Sequence, residues 1–421
     1  MKKIAPLIVV CIALAMVLFI AGCVQPVTPQ TPVTTSGTPQ ATTPAGAGTT
    51  EVDVMYAGGV GPMPVLLSTN QVDGYIAWQP YVSVATESGI GQLVTYTKDF
   101  PPVPEWNNHP CCVLTARNDL VAGSPDFVNA MAAQTILADQ WITDHPDQAA
   151  ADLSEWLIGN DTIKFGDQSV PAMNVMKSAI PSVKYTTEPT PEWVNGTKNF
   201  VNAQISLGYV TGSLKNTSAR DMDATLFDFK PYGAAKKMIA DKKIVTPAKV
   251  NKQIGIGYLK GDMHGAALLI AVREWKYFND TYGIAIKPRD PTASKPEICD
   301  LIVNGVTVAE LKLVSADAGP QLMQMEATDI IGMGYAGVPP AIGSIDKGSP
   351  IKVLMPINTE GSGLVATKGS PAVDWNSFIK YAGERSASGK PLKIAAPAKG
   401  SIQDVMLQYS LKYSGVTIKF V

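Results

Sequence analysis

Short apolar runs alternate along the chain with segments whose apolar residues recur at helical spacing. Near the end of the sequence, Lys393–Ala396 forms a short apolar run that stops at Pro397, and a stretch with apolar residues three and four positions apart begins at Ile402. The first pattern is typical of a buried strand and the second of an amphipathic helix. Their repeated alternation predicts an α/β fold.

The same patterns place the other elements. Strands are predicted over residues 52–56, 72–78, 111–114, 254–259, 330–335, 351–356, 393–396 and 416–421, and residues 306–313 predict a strand or the start of a helix. Helices are predicted over residues 62–69, 125–145, 146–157, 193–207, 265–278, 319–327 and 402–411, with another beginning at Ala341. Residues 214–252 show neither pattern clearly, and we expect a looser segment, a linker and a solvated lysine face there.

Ser401 lies where the cap of the last helix belongs, and Asp404 completes a capping-box pattern three residues later. A helix N-terminus leaves backbone N–H groups unpaired and carries partial positive charge, so it attracts an anion. Gly400 allows a ligand to approach this backbone closely. Two interpretations follow, an ordinary capped helix and an anion-binding turn.

Four strand-end turns within residues 253–421 share small residues, a few polar groups and a following helix. Because ligands bind beyond the carboxyl ends of strands in open α/β sheets, these turns together predict a binding cleft. Asp262 and His264 could form an acid/base pair, but no nucleophile or third catalytic group is evident in the sequence. His264 is equally well explained as a histidine at a helix start whose hydrogen bonds are satisfied within the fold. Trp78, at a strand end, suits either stacking on a ligand or filling the core.

Composition and charge narrow the functional classes. A formal net charge of −2 argues against nucleic acid as a partner. The cysteines and histidines show no zinc-type spacing, and the sequence contains neither a phosphate-binding P-loop nor a nucleophile-elbow motif. The adjacent Cys111 and Cys112 would point to opposite faces of a strand, which favours buried strand cysteines over a redox or metal site, and a disulfide between them would be strained.

The N-terminus has the pattern of an export signal. Lys2 and Lys3 precede an apolar run over residues 4–21, and small residues lead to Cys23, the lipidated residue if this is a lipoprotein signal. The run is also long enough to span a bilayer uncleaved. Residues 24–52, rich in Thr and Pro, predict a flexible stalk. Both alternatives place the remaining chain outside the cytoplasm, anchored to the outer face of the cell membrane.

Six segments form a specific set when they are taken together. They are 72–80 (VDGYIAWQP), 109–114 (HPCCVL), 257–264 (GYLKGDMH), 334–341 (GYAGVPPA), 358–362 (NTEGS) and 399–404 (KGSIQD). This set resembles the substrate-binding proteins of ABC importers in the nitrate/sulfonate/taurine group, the NMT1/THI5-like proteins. The resemblance covers nearly all of residues 54–421. It implies a two-lobed periplasmic-binding-protein type II fold that closes on a small ligand and delivers it to a permease and its ATPase.

The resemblance also implies which residues form the pocket. Pocket roles carry over to His264, Gly337, Val338, Thr359, Ser401, Gln403 and Trp78. The implied ligand is a small anion of the sulfonate or nitrate type, held by helix N-termini and hydroxyl groups. Because the cleft lacks an evident arginine, a neutral or zwitterionic ligand also fits. We expect no catalytic residue, no metal ligand, no cofactor and no enzymatic activity, and we expect a monomer.

The order of the two halves departs from the family. There, the segment like residues 254–421 comes first and the segment like residues 53–209 follows, whereas here the two are exchanged. We interpret this as a circular permutation, which proteins tolerate at exposed loops. A truncated tandem gene is the rival interpretation. On the permuted reading, one lobe combines residues 53–112 with 357–421, and the other spans 113–356 with a joining linker near 236–252.

Two functional alternatives remain beside the solute receptor. One is a metal-dependent enzyme on the same scaffold, similar to the thiamine-pyrimidine synthases, in which Cys111, Cys112 and His109 bind the metal. The other is the ligand-sensing module of a signalling system. Metal content of the purified protein distinguishes the first alternative from the receptor.

Overall fold

A computed structural model describes residues 49–159, 162–165 and 168–421. The strands are β1 (Glu51–Tyr56), β2 (Gly74–Trp78), β3 (Gly91–Tyr96), β4 (Cys112–Arg117), β5 (Thr162–Phe165), β6 (Gln168–Pro171), β7 (Val183–Tyr185), β8 (Ile254–Leu259), β9 (Ile284–Pro288), β10 (Ile298–Val303), β11 (Val306–Ala316), β12 (Met333–Gly337), β13 (Ile351–Pro356), β14 (Asn358–Glu360), β15 (Ser362–Thr367), β16 (Leu392–Ala396) and β17 (Thr417–Phe420). The α-helices are α1 (Met63–Ser68), α2 (Tyr81–Glu87), α3 (Asn118–Gly123), α4 (Pro125–Asp144), α5 (Pro146–Leu153), α6 (Ala172–Ala179), α7 (Pro191–Ser206), α8 (Ala219–Leu226), α9 (Lys230–Ala240), α10 (Ala266–Arg273), α11 (Trp275–Tyr282), α12 (Gly319–Ala327), α13 (Val338–Asp346), α14 (Trp375–Ala387) and α15 (Ile402–Tyr413). Short 3₁₀ turns at Thr97–Asp99, Ile180–Ser182 and Met263–Gly265 and a π-helical turn at Ser154–Ile158 complete these elements.

The predicted signal or anchor over residues 1–23, with Cys23, and most of the predicted stalk lie outside the described residues. Among the residues that are described, no helix has the length and apolar character needed to cross a bilayer.

Strands from both ends of the described chain build the first sheet, in the order β17-β1-β16-β2-β15-β3. Strand β1 runs parallel to both of its neighbours, with Val52 opposite Leu392 and Glu51 opposite Thr417. Strand β15 is antiparallel to β2 and β3. Helices α14 and α15 pack against this sheet, which the N-terminal and C-terminal sections of the chain therefore build jointly.

The second sheet has the order β13-β4-β12-β8-β11-β10-β9. Its centre is parallel, because β8 runs alongside β11 and β12, while β4 is antiparallel to β12 and β13. Helix α10 packs on α4 beside this sheet, and its residues from Ala266 to Val272 are all buried. An apolar sequence on every side of a helix is what such a position requires.

The chain passes between the two sheets twice within the described residues. The first passage, residues 97–111, links β3 to β4, and the second, residues 357–361, links β13 to β15. The two passages run side by side, because Pro110 forms an antiparallel bridge with Thr359. On its other side, β14 pairs with β7.

The structure corrects the expectation of a looser segment over residues 214–252. Helices α8 and α9 lie within it, so the first part of the predicted linker, up to Ala240, is helical. Tyr232, Ala235 and Met238 are buried at intervals of three residues, which is helical spacing, and α9 packs on α4. The helical pattern was present in the sequence but was partly hidden by the lysines between these residues.

Other differences are smaller. The predicted helix over residues 265–278 is interrupted at Glu274, and α13 begins at Val338 rather than Ala341, since prolines are well accommodated in a first helical turn. Elements that were not predicted include strands β3, β9, β10 and β15 and helices α2, α6 and α14. Cys111 precedes β4 instead of lying within it.

Candidate functional site

A small buried cavity lies beside the two passages between the sheets. The centre of a water molecule can occupy a volume of about 20 Å³ inside it, so the cavity has room for about one water. Its wall is formed from both sheets, by the end of β2 and the start of α15 on one side and by the turn after β8 and the starts of α12 and α13 on the other. Such a junction of strand ends and helix starts is where α/β proteins bind ligands.

Five of the seven pocket residues implied by the family resemblance line this cavity. They are Trp78, His264, Gly337, Ser401 and Gln403. The other two lie behind the wall. The N–H of Val338 donates to the carbonyl oxygen of Cys111 at 2.9 Å, and Thr359 lies in β14, paired with Lys184 of β7.

Ser401 caps α15, as the sequence pattern predicted. Its Oγ accepts the backbone N–H of Asp404 at 3.2 Å. In a capping box the Asp404 carboxylate would accept the backbone N–H of Ser401 in return. Here it accepts the N–H of the preceding residue, Gly400, at 2.7 Å. Ile402 and Gln403 open α15 and line the cavity, and the backbone N–H groups of a first helical turn have no acceptor within their own helix.

Asp404 anchors this turn to more distant parts of the fold. Its carboxylate accepts hydrogen bonds from the hydroxyls of Tyr56 in β1, at 3.0 Å, and Tyr209 beyond α7, at 2.9 Å. Burial raises the pKa of Asp404 even though these bonds favour its charged form. The N-terminus of α15 is therefore held by groups from two other regions of the sequence.

His264 is held between a carboxylate and a carbonyl oxygen. Its Nδ1 lies 2.7 Å from Oδ1 of Asp262, and its Nε2 lies 3.0 Å from the carbonyl oxygen of Glu360. Both partners are acceptors, so the ring satisfies both only when each nitrogen carries a proton. Burial opposes this charge, but Cys111 and Asp262 outweigh it and raise the pKa of His264 well above its ordinary value.

Cys111 and Cys112 both line the cavity, and both are free thiols. The expectation that they point to opposite faces of a strand is wrong for a local reason: Cys111 precedes the strand, so strand alternation does not apply to the pair. Burial opposes ionisation of Cys111, but a hydrogen bond from Cys112 and the charge of His264 lower the pKa of its thiol. The hydrogen bond to Cys111, together with burial, raises the pKa of Cys112.

Contacts around Trp78 close the cavity between the two sheets. The indole Nε1 donates to the carbonyl oxygen of Gly261 at 3.3 Å, and the N–H of Met263 donates to the carbonyl oxygen of Gln79 at 3.1 Å. Trp78 is almost fully buried, so it both lines the cavity and belongs to the core. A ligand of more than a few atoms therefore needs these contacts to separate before it can enter.

His109, considered as a metal ligand, is engaged elsewhere. Its Nδ1 lies 3.1 Å from the carbonyl oxygen of Pro110 and its Nε2 lies 2.9 Å from Oγ1 of Thr97. Burial lowers the pKa of His109 to about 4, which keeps the ring neutral. In the part of the chain that the structure describes, no cluster of three or more His, Cys, Asp or Glu side chains is arranged to hold a metal ion.

The cavity also contains residues that the family resemblance did not assign to it. They are Cys111, Cys112, Leu259, Asp262, Gly319, Pro340 and Ile402. Asp262 was recognisable as half of an acid/base pair, and the two cysteines as unusual neighbours. Nothing in the sequence indicated that the cysteines meet Asp262 and His264, because long stretches of chain separate them.

The described fold and this site fit the class of α/β binding proteins. The chain belongs to the NMT1-like family, whose model matches residues 42–158 and 248–419, more than half of the sequence. An uncharacterized protein of Methanocaldococcus jannaschii is 31% identical over 106 residues, which are 25% of this chain and 70% of that protein. No solved structure gives a significant match to the chain. Membership of the family indicates a protein of the solute-binding type.

Proposed function

We propose that this protein is an extracytoplasmic receptor of an ABC importer. It captures a small anionic solute, of the sulfonate or nitrate type, in a cleft between two lobes and delivers it to the permease. The observation that carries the proposal is the cavity, where His264 from one sheet meets Ser401 and Gln403 from the other. A site shared between two sheets binds its ligand by bringing them together.

Three helices favour an anion in this cavity. The first turns of α12, α13 and α15 contribute Gly319, Pro340 and Gln403 to the wall, and each helix N-terminus carries partial positive charge. The ring of His264 adds a positive charge, which Asp262 partly offsets. The wall contains no arginine or lysine among the described residues, so the solute we expect is small and carries little charge.

The sheet topology supports two lobes and a permuted order. The first sheet takes its strands from residues 51–96 and 362–420, and the second takes them from residues 112–117 and 254–356. These sets agree with the division proposed from the sequence, in which residues 53–112 and 357–421 form one lobe and 113–356 the other. Circular permutation remains our proposal for this order.

The proposed partners follow from the receptor role. They are the small solute, an ABC permease with its ATPase, and the membrane through an N-terminal anchor that ends at Cys23. We propose that the receptor acts as a monomer on the outer face of the cell membrane, binds no nucleic acid and catalyses no turnover.

A thermal-shift screen of the purified full-length chain tests this function. The probes are sulfonates, nitrate, bicarbonate, taurine and pyrimidine precursors. A ligand that binds only the folded state at a hundred-fold excess over Kd adds about 2.7 kcal/mol of stability. We expect one of these small anions to raise the midpoint of a single cooperative transition. Two independent transitions with no response to any probe would contradict the proposal.

A matched pair of variants on α15 locates the binding site. Gln403→Ala removes a side chain that lines the cavity, whereas Lys412→Ala alters the exposed side of the same helix. We expect Gln403→Ala to reduce the ligand-induced shift and Lys412→Ala to retain it. Equal shifts in both variants would place the ligand elsewhere.

A further inference from the structure

Entry of a solute requires the two sheets to move apart. The cavity has room for about one water, and contacts between the two sheets close it, among them the hydrogen bond from Trp78 to the carbonyl oxygen of Gly261. Within the described residues, the chain passes between the sheets only along residues 97–111 and 357–361. The backbone rotations that separate the sheets must therefore take place in these two passages.

Glu360, in the second passage, has an unusual backbone conformation. Its φ is +63° and that of the following Gly361 is +79°, so two consecutive residues are left-handed. Among the described residues, six that are not glycine have such a φ, and Glu360 is buried whereas the other five are exposed. This conformation is unfavourable for a residue with a side chain and persists only where surrounding contacts hold it. A strained residue at a point where the chain must rotate indicates a functional position.

The side chains of Glu360, Lys184 and Asn108 form a clasp across both passages. Oε1 of Glu360 lies 3.0 Å from Nζ of Lys184 in β7, and it accepts the backbone N–H of Asn108 at 3.1 Å. Lys184 also donates to Oδ1 of Asn108 at 2.5 Å. Asn108 belongs to the first passage and is itself left-handed, with φ of +53°. One lysine therefore ties the two passages to each other and to β7.

The backbone of Glu360 joins the clasp to one wall of the cavity. The carbonyl oxygen of Glu360 lies 3.0 Å from Nε2 of His264, which lines the cavity. The backbone of Gly361 approaches the same ring so closely that a Cβ atom there would overlap it. Rotation of the peptide group between Glu360 and Gly361 therefore removes a hydrogen-bond acceptor from His264.

The opposite wall of the cavity is joined to the ends of the passages. Nε2 of Gln403, a wall residue, donates to Oγ of Ser362, which directly follows the second passage, at 2.8 Å. The carbonyl oxygen of Ser362 accepts the hydroxyl of Thr97, which begins the first passage, at 3.1 Å. Both walls of the cavity are therefore bonded to residues that lie at or beside the passages.

We propose that the clasp is a latch that holds the cleft closed, and that Asn108, Glu360 and Gly361 are the pivots of opening. On opening, the contact between Lys184 and Glu360 breaks and Glu360 leaves its left-handed conformation. Its carbonyl oxygen then separates from His264, and the two sheets move apart. The backbone strain favours this movement and the ion pair opposes it, so their balance sets the population of open receptors.

Lys184 is on this basis a positioning residue, because it acts on the cavity through Glu360. The inference rests on the proposed function, since it concerns how the receptor opens to its solute.

Alkylation of the cavity cysteines measures opening without any solute. Cys111 and Cys112 line the cavity, and iodoacetamide is larger than one water, so these thiols react only after the cleft opens. Cys299 is buried in β10, outside the cavity, and reports on unfolding of the second sheet. The full-length chain is treated with iodoacetamide, and peptide mass spectrometry follows each of these three cysteines.

Variants of the ion pair test the latch. Lys184→Met removes the ammonium group and retains most of the stem, and Glu360→Gln removes the opposite charge. We expect Cys111 and Cys112 to react roughly tenfold faster in each variant and Cys299 to react at an unchanged rate.

The matched control is Lys236→Met. The side chain of Lys236 is 52% exposed, close to the 51% of Lys184, and it faces Glu188 at the surface, away from the passages. We expect wild-type rates in this control. Rates in Lys184→Met and Glu360→Gln equal to those of the control would overturn the latch. An equal increase at Cys299 would overturn it as well, because the ion pair would then support the whole fold.

Salt gives a second readout, one that a purely structural role would not change. Because Lys184 is half exposed, added sodium chloride screens its attraction to Glu360. We expect salt to speed alkylation of Cys111 in the wild-type chain and to have much less effect in Lys184→Met. A salt effect of the same size in both chains would overturn the role of the ion pair.

The outcome is distinguishable from that of the thermal-shift screen. A thermal shift with one of the small anions, together with unchanged alkylation in Lys184→Met, would retain the receptor and overturn the latch. Faster alkylation in Lys184→Met, without a thermal shift from any probe, would support the latch and contradict the proposed solute.

Discussion

The substitution Gly361→Ala tests whether the close approach of the Gly361 backbone to the His264 ring contributes to stability. This glycine has φ of +79°, and a Cβ atom placed on it would overlap Nε2 of His264 and lie 2.7 Å from Cγ2 of Val183. Gly361→Ala therefore incurs the left-handed backbone cost of about 1–2 kcal/mol and an overpacking cost of about 1–3 kcal/mol. We expect a total loss of about 2–5 kcal/mol, a large part of the stability of a typical domain.

The matched control is Gly348→Ala. Gly348 has φ of +88°, but a Cβ atom there would meet nothing within 4 Å, so only the backbone cost applies. Urea unfolding followed by tryptophan fluorescence measures both losses, provided that the slope with denaturant is unchanged. We expect Gly361→Ala to lose about 1–3 kcal/mol more than the control. Equal losses in the two variants would show that the contact with His264 is readily relieved, and the reasoning would be refuted.

Three further predictions concern buried polar groups. Ser401→Ala removes the acceptor for the N–H of Asp404 and should lower the free energy of unfolding, measured in urea, by about 1 kcal/mol. The same variant should show a smaller ligand-induced thermal shift. Tyr209→Phe removes a 2.9 Å hydrogen bond to the Asp404 carboxylate, and should cost about 1.5–3 kcal/mol in the same assay; a loss within error would show that this bond contributes little. Burial raises the pKa of Glu326 to about 8 in the folded protein. The contribution of its protonated carboxyl group to the free energy of unfolding is therefore complete below the pKa that this group has in the unfolded chain, and it is lost as pH rises towards 8. In the wild-type protein this group should lower the free energy of unfolding by up to ~1.4 kcal/mol for each pH unit in this range, and Glu326→Gln should abolish that slope. An unchanged pH dependence of urea unfolding in the variant would contradict the assignment.

The sequence predicted those parts of the fold that local patterns specify. Strand β8 and helix α12 were predicted with their observed bounds, because turn residues or prolines flank a uniform apolar or helical pattern. Helix α14 was missed although Asp374 forms a capping box with Ser377 at its start. Strands β9 and β10 were missed because they follow α11 as an antiparallel pair, where a strand and helix alternation was expected.

The cavity could be predicted only in part. The turns that contain His264 and Ser401 carried their own signals, a histidine near an aspartate and a helix cap. The meeting of Cys111 with His264 carried none, because it depends on the bonds that Asn358 makes to both segments. Side-chain contacts between distant segments arise from tertiary packing, and periodicity in one sequence contains no information about them.

The pairing of β1 with β16 and β17 has a consequence for how the chain folds. Val52 and Val54 are fully buried in the sheet, yet their strand partners in β16 and β17 lie far later in the sequence and are synthesised long after them. Until then, these apolar residues have no native strand to pair with, which exposes the nascent chain to aggregation. Contacts between residues so remote in sequence also slow folding, because a long loop must close before they form. We therefore expect slow refolding in which the first sheet is completed last, and a nascent chain that depends on chaperones until β16 and β17 have been synthesised.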